Sequence, residues 1–176
     1  MEELAGRIRE RVEDYADFPR PGIVFRDLTP VLRDPELTRA IARRLAEEAE
    51  RRGATALAGI ESRGFLFAAP AACALGAPLL TIRKQGKLPG STLTEAYDLE
   101  YGSAELELQA GSVAADGDRV LVVDDLLATG GTLAAACRLL ESAGARVAGL
   151  AVVVELDGLD GRARLKNYNM FSLLRL

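Results

Sequence analysis

Apolar residues recur every fourth position at the start of the chain, at Leu4, Ile8 and Val12, among charged neighbours. That spacing predicts an amphipathic helix. Pro19, Pro21 and Gly22 then break regular structure, and 23–25 is a short apolar island ahead of Arg26. Asp34 followed by Pro35 predicts a helix start, with a carboxylate to cap free amides and a proline where its missing N–H costs nothing. Leu37, Ile41, Leu45 and Ala49 continue that helix to a stop at Gly53.

Beyond Gly53 the pattern becomes strand, turn, helix, repeated. Residues 56–60 read as a short apolar strand, 61–64 as a turn into a helix that stops at Gly76, and 79–82 as the next strand. A polar loop over 83–96 carries Gly86, Pro89 and Gly90. Segments 97–101 and 104–109 alternate in character around Gly102-Ser103 and predict a hairpin. Residues 115–118 are a turn, and 119–123 is a near-continuous β-branched run of the kind found in strands covered on both faces. A helix over about 132–143 ends at Gly144, and 147–154 is another buried strand. The stretch 166–170 is less apolar than a buried strand prefers, which leaves that edge unassigned. The expected fold class is α/β, a mostly parallel sheet flanked by helices on both faces. With no repeat or linker, residues 1–176 are expected to form a single domain.

Composition narrows the chemistry. The 176 residues contain no histidine, which excludes Ser-His-Asp triads and histidine-ligated zinc within one subunit. Cys73 and Cys137 lie far apart in uncharged helical context and read as reduced core residues. The net charge of −4 argues against a nucleic-acid coat or a membrane-surface protein but permits a local basic pocket. Residues 64–82 carry no charge, a span that just reaches transmembrane length. Gly64, Pro70, Gly76 and Pro78 interrupt it, so a core helix followed by a buried strand explains it without a bilayer. The Glu- and Arg-rich start does not resemble a signal peptide, and a cytoplasmic location is expected.

Ligands of such sheets bind where strands end and helices begin. At one junction, VLVVDDLLATGGT, the adjacent acids Asp124 and Asp125 end a buried strand, and a small hydroxyl-and-glycine loop opens a helix. Glycines let backbone N–H groups converge on an anion, and the helix N-terminus adds partial positive charge. Ala128, Thr129, Gly130, Gly131 and Thr132 therefore describe a phosphate cradle, without the lysine of a Walker loop or the spacing of a dinucleotide fold. The paired acids suit two vicinal hydroxyls, as on a ribose. A tight turn bearing two solvated acids is the alternative.

That junction resembles the 5-phosphoribosyl 1-pyrophosphate binding signature of the type I phosphoribosyltransferases. The chain is similar to the adenine-specific branch of that family along nearly its whole length, through FPRPGIVFRDLTPVL, GIESRGFLF, IRKQGKLPG, YDLEYG followed by AELELQ, and FSLLRL. The resemblance implies a small N-terminal hood over about 15–33 and a lid over about 83–101. It implies that Asp124 and Asp125 hold the ribose hydroxyls, that 128–132 hold the 5-phosphate, and that Ser62 and Arg63 belong to a pyrophosphate loop. Arg83, Lys84 and Lys87 would add positive charge for the diphosphate, and Gln85 stands where some relatives carry a basic residue. Phe25 and Leu126 would sandwich the purine, with Val24 and Arg26 beside it. Glu100 matches the family's acid/base candidate beside Tyr101 on the lid, and Arg63 its catalytic cation.

The implied reaction transfers 5-phosphoribosyl from its pyrophosphate to adenine, giving AMP and pyrophosphate. Mg²⁺ is implied as a companion of the diphosphate, with no protein metal cage, and the family implies a homodimer. Two alternatives stay open: the same transfer to hypoxanthine, guanine or xanthine, and a non-catalytic nucleotide sensor. A sensor of that kind would carry an added DNA-binding segment, for which few residues precede Pro19.

Overall fold

The order in which the strands pair decides where a ligand can enter. The computed structural model describes residues 2–99, 102–114 and 116–176. Helix α1 (Glu2–Arg9) leads into an antiparallel pair, β1 (Glu13–Ala16) and β2 (Val24–Asp27), then α2 (Thr29–Leu32) and α3 (Pro35–Arg51). The main sheet is built from β3 (Ala56–Ile60), β4 (Leu79–Lys84), β5 (Thr92–Leu99), β6 (Gly102–Gln109), β7 (Arg119–Leu127), β8 (Arg146–Glu155) and β9 (Met170–Arg175). Helices α4 (Arg63–Leu75), α5 (Gly131–Ser142) and α6 (Gly161–Arg164) connect them. Spatial order is β5-β6-β4-β3-β7-β8-β9, parallel from β4 through β9, with β5 and β6 antiparallel at one edge.

Alternation along the central strands sends side chains to two cores. Val120 and Val122 pack with Leu139 and Leu140 of α5 and with Leu106 and Leu108 of β6. Leu121 and Val123 face Ile41 and Leu45 of α3 and Phe67 of α4. Val120, Leu121, Val122 and Val123 of β7 are all fully buried, as the β-branched run predicts. The chain leaves β3 toward β4 on one side, and β7 lies on the other. The crevice between the carboxyl ends of β3 and β7 is therefore the sheet's topological switch point, where ligands of open α/β sheets bind.

Asp34 caps α3 as expected, its carboxylate accepting from the Glu36 and Leu37 amides. Three expectations are corrected and two segments left open are filled in. The helix over Leu4–Val12 stops at Arg9. The segment around Pro19 is flanked by a short strand pair, fixed to the core through Leu28 and Val31, both buried. The polar loop expected over 83–96 is confined to 85–91, because β5 begins at Thr92 and pairs with β6 from Gln109 back to Gly102. Its threonines and acids alternate on a sheet edge, where polar side chains are tolerated, and that hid the strand. The unassigned C-terminal edge is β9, which starts at Met170, past the polar residues. Cys137 is buried, but Cys73 lies on the outer face of α4 and is exposed; both thiols are free. Among the described residues no helix is long and apolar enough to cross a membrane.

One buried charge lies away from the crevice. Glu48 of α3 is fully buried, yet it meets Arg51, Arg52 (2.6 Å) and Arg44 (3.6 Å). Burial alone would raise its pKa, but the Arg51 and Arg52 hydrogen bonds outweigh that and hold it below the usual range. A depressed folded-state pKa gives stability that is present above the unfolded value near 4.3 and lost as pH falls through the folded one. Glu48→Gln is expected to cost about 1–3 kcal/mol at pH 7. In urea titrations across pH, the variant's deficit should shrink as acid is added; a deficit constant from pH 7 to 3 would contradict this account.

Candidate active site

Strand β3 is followed by Glu61 and Ser62, joined by a cis peptide, and α4 begins at Arg63. The next residue must be small. A Cβ on Gly64 would lie 2.8 Å from Asp124 Oδ1 and 3.0 Å from the Val123 carbonyl. Glycine thus allows the first turn of α4 to rest on the carboxyl end of β7, bringing Arg63 to the two acids. Arg63 Nε is 2.8 Å from Asp125 Oδ2. The contact is an ion pair without hydrogen-bond alignment, for that oxygen and Arg63 Nη1 are both buried with no hydrogen-bond partner. Asp124 Oδ1 accepts from the Asp125 amide at 2.9 Å.

Burial pushes the Asp124 carboxyl well above the usual carboxylate range, and the neighbouring Asp125 charge pushes it further. Asp125 is also raised by burial, with Arg63 pulling in the opposite direction. Asp125 Oδ2 has no hydrogen-bond partner, while Asp124 keeps one bond from the Asp125 amide. Both are poised to accept from donors brought by a ligand.

Opposite them, residues 128–132 turn from β7 into α5. Gly130 has φ of +79°, a left-handed conformation that side chains resist, and it caps α5. No side chain caps that helix, and its first turn holds no acid, so its leading amides keep their positive end for an anion. Between the two junctions is a cavity of about 350 Å³. Ser62, Arg63, Lys84, Asp124, Asp125, Leu126, Ala128, Thr129, Gly130, Gly131 and Thr132 all line it.

Other expected residues stand apart from it. Arg83 does not line the cavity; its guanidinium donates to Glu61 (3.2 and 3.3 Å) and to the Lys87 carbonyl (3.1 Å). Lys87 does not line it either. Phe25 approaches through Arg63, whose guanidinium carbon lies 5.2 Å from the ring centroid, and Phe18 meets Phe25 edge-on at 5.3 Å. Val24 is exposed, and Arg26 is ion-paired with Asp14 across the β1–β2 hairpin. Glu100 and Tyr101 lie outside the described residues.

Four lining residues were given no site role by the sequence, Glu61, Tyr97, Leu127 and Leu133. Glu61 accepts from the Lys84 amide (2.9 Å) as well as from Arg83. Burial would raise its pKa, but these hydrogen bonds prevail and keep it low. Its signal was available, since an acid just before Ser-Arg-Gly at a strand end has to find partners. Tyr97 carried no such signal, because only the pairing of β5 brings it to the cavity mouth. The assembled chemistry is two vicinal acceptors, one cation with an unused donor and a ring of amides and hydroxyls. That suits a phosphorylated polyol with a second anionic group.

Comparison with known proteins gives the same answer. The model of the phosphoribosyl transferase domain family matches residues 29–174. The adenine phosphoribosyltransferase of Streptomyces coelicolor is 57% identical over 156 residues, 89% of this chain and 85% of the relative. Among solved structures, the adenine phosphoribosyltransferase of Thermoanaerobacter pseudethanolicus superposes with a TM-score of 0.93 at 43% identity, covering 98% of this chain and 99% of that one. The Saccharomyces cerevisiae enzyme, solved with adenine and an imino-altritol bisphosphate, has a TM-score of 0.93 at 38% identity, covering 99% and 100%.

The two raised carboxyls carry a stability cost. A raised folded-state pKa means the acid's protonated form favours the fold, and this advantage is lost as pH rises through the folded value. Without ligand, Asp124→Asn is expected to raise the melting temperature at pH 7.5 by about 2–4 °C. The gain should narrow toward pH 4. A melting temperature equal to or below that of the unaltered chain at pH 7.5 would refute it.

Proposed function

We propose a specific division of labour in this chain, which belongs to the phosphoribosyl transferase family and, within it, to the adenine phosphoribosyltransferases. It transfers the 5-phosphoribosyl group from 5-phosphoribosyl 1-pyrophosphate to adenine, releasing pyrophosphate and forming AMP. The observation that carries the residue assignments is the single cavity in which Arg63, Asp124 and Asp125 face the 128–132 loop.

In this reading Asp124 and Asp125 accept from the two ribose hydroxyls, which supply the hydrogen bonds these buried acids lack. The amides of 128–132 with the Thr129 and Thr132 hydroxyls take the 5-phosphate at the positive end of α5. Ser62, Arg63 and Lys84 receive the diphosphate. Arg63 is suited to it, since its Nη1 is buried without a partner and a planar guanidinium offers further donors to a phosphate oxygen. As the bond from the sugar to the diphosphate breaks, negative charge grows on the leaving oxygen, and these cations stabilise it. The imidazole nitrogen of adenine then bonds to the sugar carbon and gives up its proton. Glu100, which matches the family's acid/base candidate, is the group assigned to manage that proton, and with no histidine in the chain a carboxylate is the main candidate for it.

Phe25 and Leu126 are assigned to the faces of the purine, with Val24 and Arg26 beside it in the hood, about 15–33. Phe25 already lies against the Arg63 guanidinium, which links the base site to the diphosphate site. Segment 83–101, with Arg83, Lys87 and Tyr101, is assigned as the lid that excludes water from the oxocarbenium-like state. Mg²⁺ brought with the substrate would supply charge neutralisation for the diphosphate. The Asp124–Asp125 pair is the one set of adjacent acids here that could touch it, and no group of three His, Cys, Asp or Glu among the described residues gathers to cage an ion. The working form is proposed to be a cytoplasmic homodimer folded as one domain per chain.

A panel of adenine, hypoxanthine, guanine and xanthine with 5-phosphoribosyl 1-pyrophosphate, read by pyrophosphate release, tests the base. Adenine should be the substrate consumed; turnover on another base alone would overturn the reading. Asp125→Asn should raise KM for 5-phosphoribosyl 1-pyrophosphate by about tenfold or more. Glu100→Gln should lower kcat by about 10²-fold with KM little changed. Unchanged kinetics in both variants would refute the assignments.

A further inference from the structure

We propose that Gly161, held in place by the Arg162–Glu155 ion pair, is a positioning residue for the 128–132 loop. The inference rests on the reading of that loop as the 5-phosphate site. Gly161 opens the short helix α6 and is buried against the back of the loop. A Cβ there would fall 2.2 Å from the Ala128 carbonyl oxygen and 2.7 Å from Leu127 Cδ1. The contact is reciprocal. A Cβ on Gly130 would lie 2.8 Å from the Gly161 carbonyl oxygen and 3.4 Å from its Cα. Two backbones thus touch where any side chain on either would force them apart, and the height of the loop over the cavity is set by this contact.

A contact of that kind positions the loop only if its outer partner is fixed. Glu155, at the carboxyl end of β8, is nearly fully buried. Arg162, the residue after Gly161, grips it with two bonds, Nε to Oε1 at 2.5 Å and Nη2 to Oε2 at 2.7 Å. Ser172 of β9 adds a hydroxyl bond to Oε2 at 2.7 Å, and Arg162 also donates to the Ser172 hydroxyl and to the Met170 carbonyl. Leu165, just beyond α6, is buried in the core beside α5. A bidentate arginine–carboxylate pair fixes orientation as well as distance. The wall behind the phosphate loop is therefore tied to two strands of the sheet, and neither Gly161 nor Arg162 lines the cavity. Arg63 and Lys84 make none of these contacts, so the diphosphate side should not feel them.

Calorimetric titration with two separate probes, ribose 5-phosphate and inorganic pyrophosphate, separates positioning from general damage. Gly161→Ala should weaken ribose 5-phosphate by about tenfold or more, the loss of one bond to a charged group, while pyrophosphate affinity stays within about twofold. Turnover should match, with KM for 5-phosphoribosyl 1-pyrophosphate raised and KM for adenine unchanged. Arg162→Lys, which keeps the charge but loses the fork, should show the same selective loss to a smaller degree, and it decides the matter if Gly161→Ala does not fold. Equal losses for both probes, or none, in a folded variant would overturn the proposal. If the unaltered chain binds pyrophosphate but not ribose 5-phosphate, the reading of the loop itself fails, an outcome visible before any variant is made.

Discussion

Two adjacent carboxylates at the end of β7, Asp125 buried and Asp124 half-buried, set the terms for everything near them. Charge removed from water is unfavourable unless something compensates it, and the cation the fold brings to the pair is Arg63. Bringing that guanidinium close requires the first turn of α4 to lie against β7, which Gly64 permits. Arg63 in turn supports the Phe25 ring, so the strand pair near the N-terminus is oriented by the same cation. Compensation is left incomplete, with Asp125 Oδ2 and Arg63 Nη1 both lacking hydrogen-bond partners. Incomplete satisfaction of this kind is tolerated where binding completes it.

The third acid at the crevice acts in the opposite sense. Glu61 is fully engaged by Arg83 and the Lys84 amide, and it fixes the end of β4 beside the end of β3. One junction thus holds an acid whose bonds are all made, and the other holds acids whose bonds are open. This difference separates framework from site better than charge alone, since the cavity is lined by Arg63 and Lys84 together with Glu61, Asp124 and Asp125.

Much of this was legible in the sequence because its causes are local. The β-branched run of β7, the Asp34-Pro35 start of α3 and the glycine loop before α5 each follow from residue chemistry within a few positions. Asp124 and Asp125 were legible for the same reason, as strand-end residues of an α/β sheet, whereas Ser62, Arg63 and Lys84 entered through the family resemblance. What was not legible depends on distant partners. Strand β5 is polar enough to read as loop until β6 pairs with it, and Tyr97 reaches the cavity only through that pairing. The partner of Arg83 could not be read because charge composition does not say which acid a cation will choose. Gly161 gave no sign, since its role exists only where two chain segments more than thirty residues apart meet.

The position of β3 has a consequence for how the chain acquires its shape. Its two neighbours are β4, joined through one helix, and β7, whose pairing residues 120–123 come some sixty positions later. Local contacts can form early, but closing the centre of the sheet must wait for this long loop to be brought together, a step that slows folding. Until 119–127 has emerged from the ribosome, a fully apolar strand has one open edge and no layer over Leu57 completed by β7. The chemical site and the last long-range closure are at the same seam. A newly made chain is therefore inert, and most exposed to aggregation, until the moment that seam is sealed.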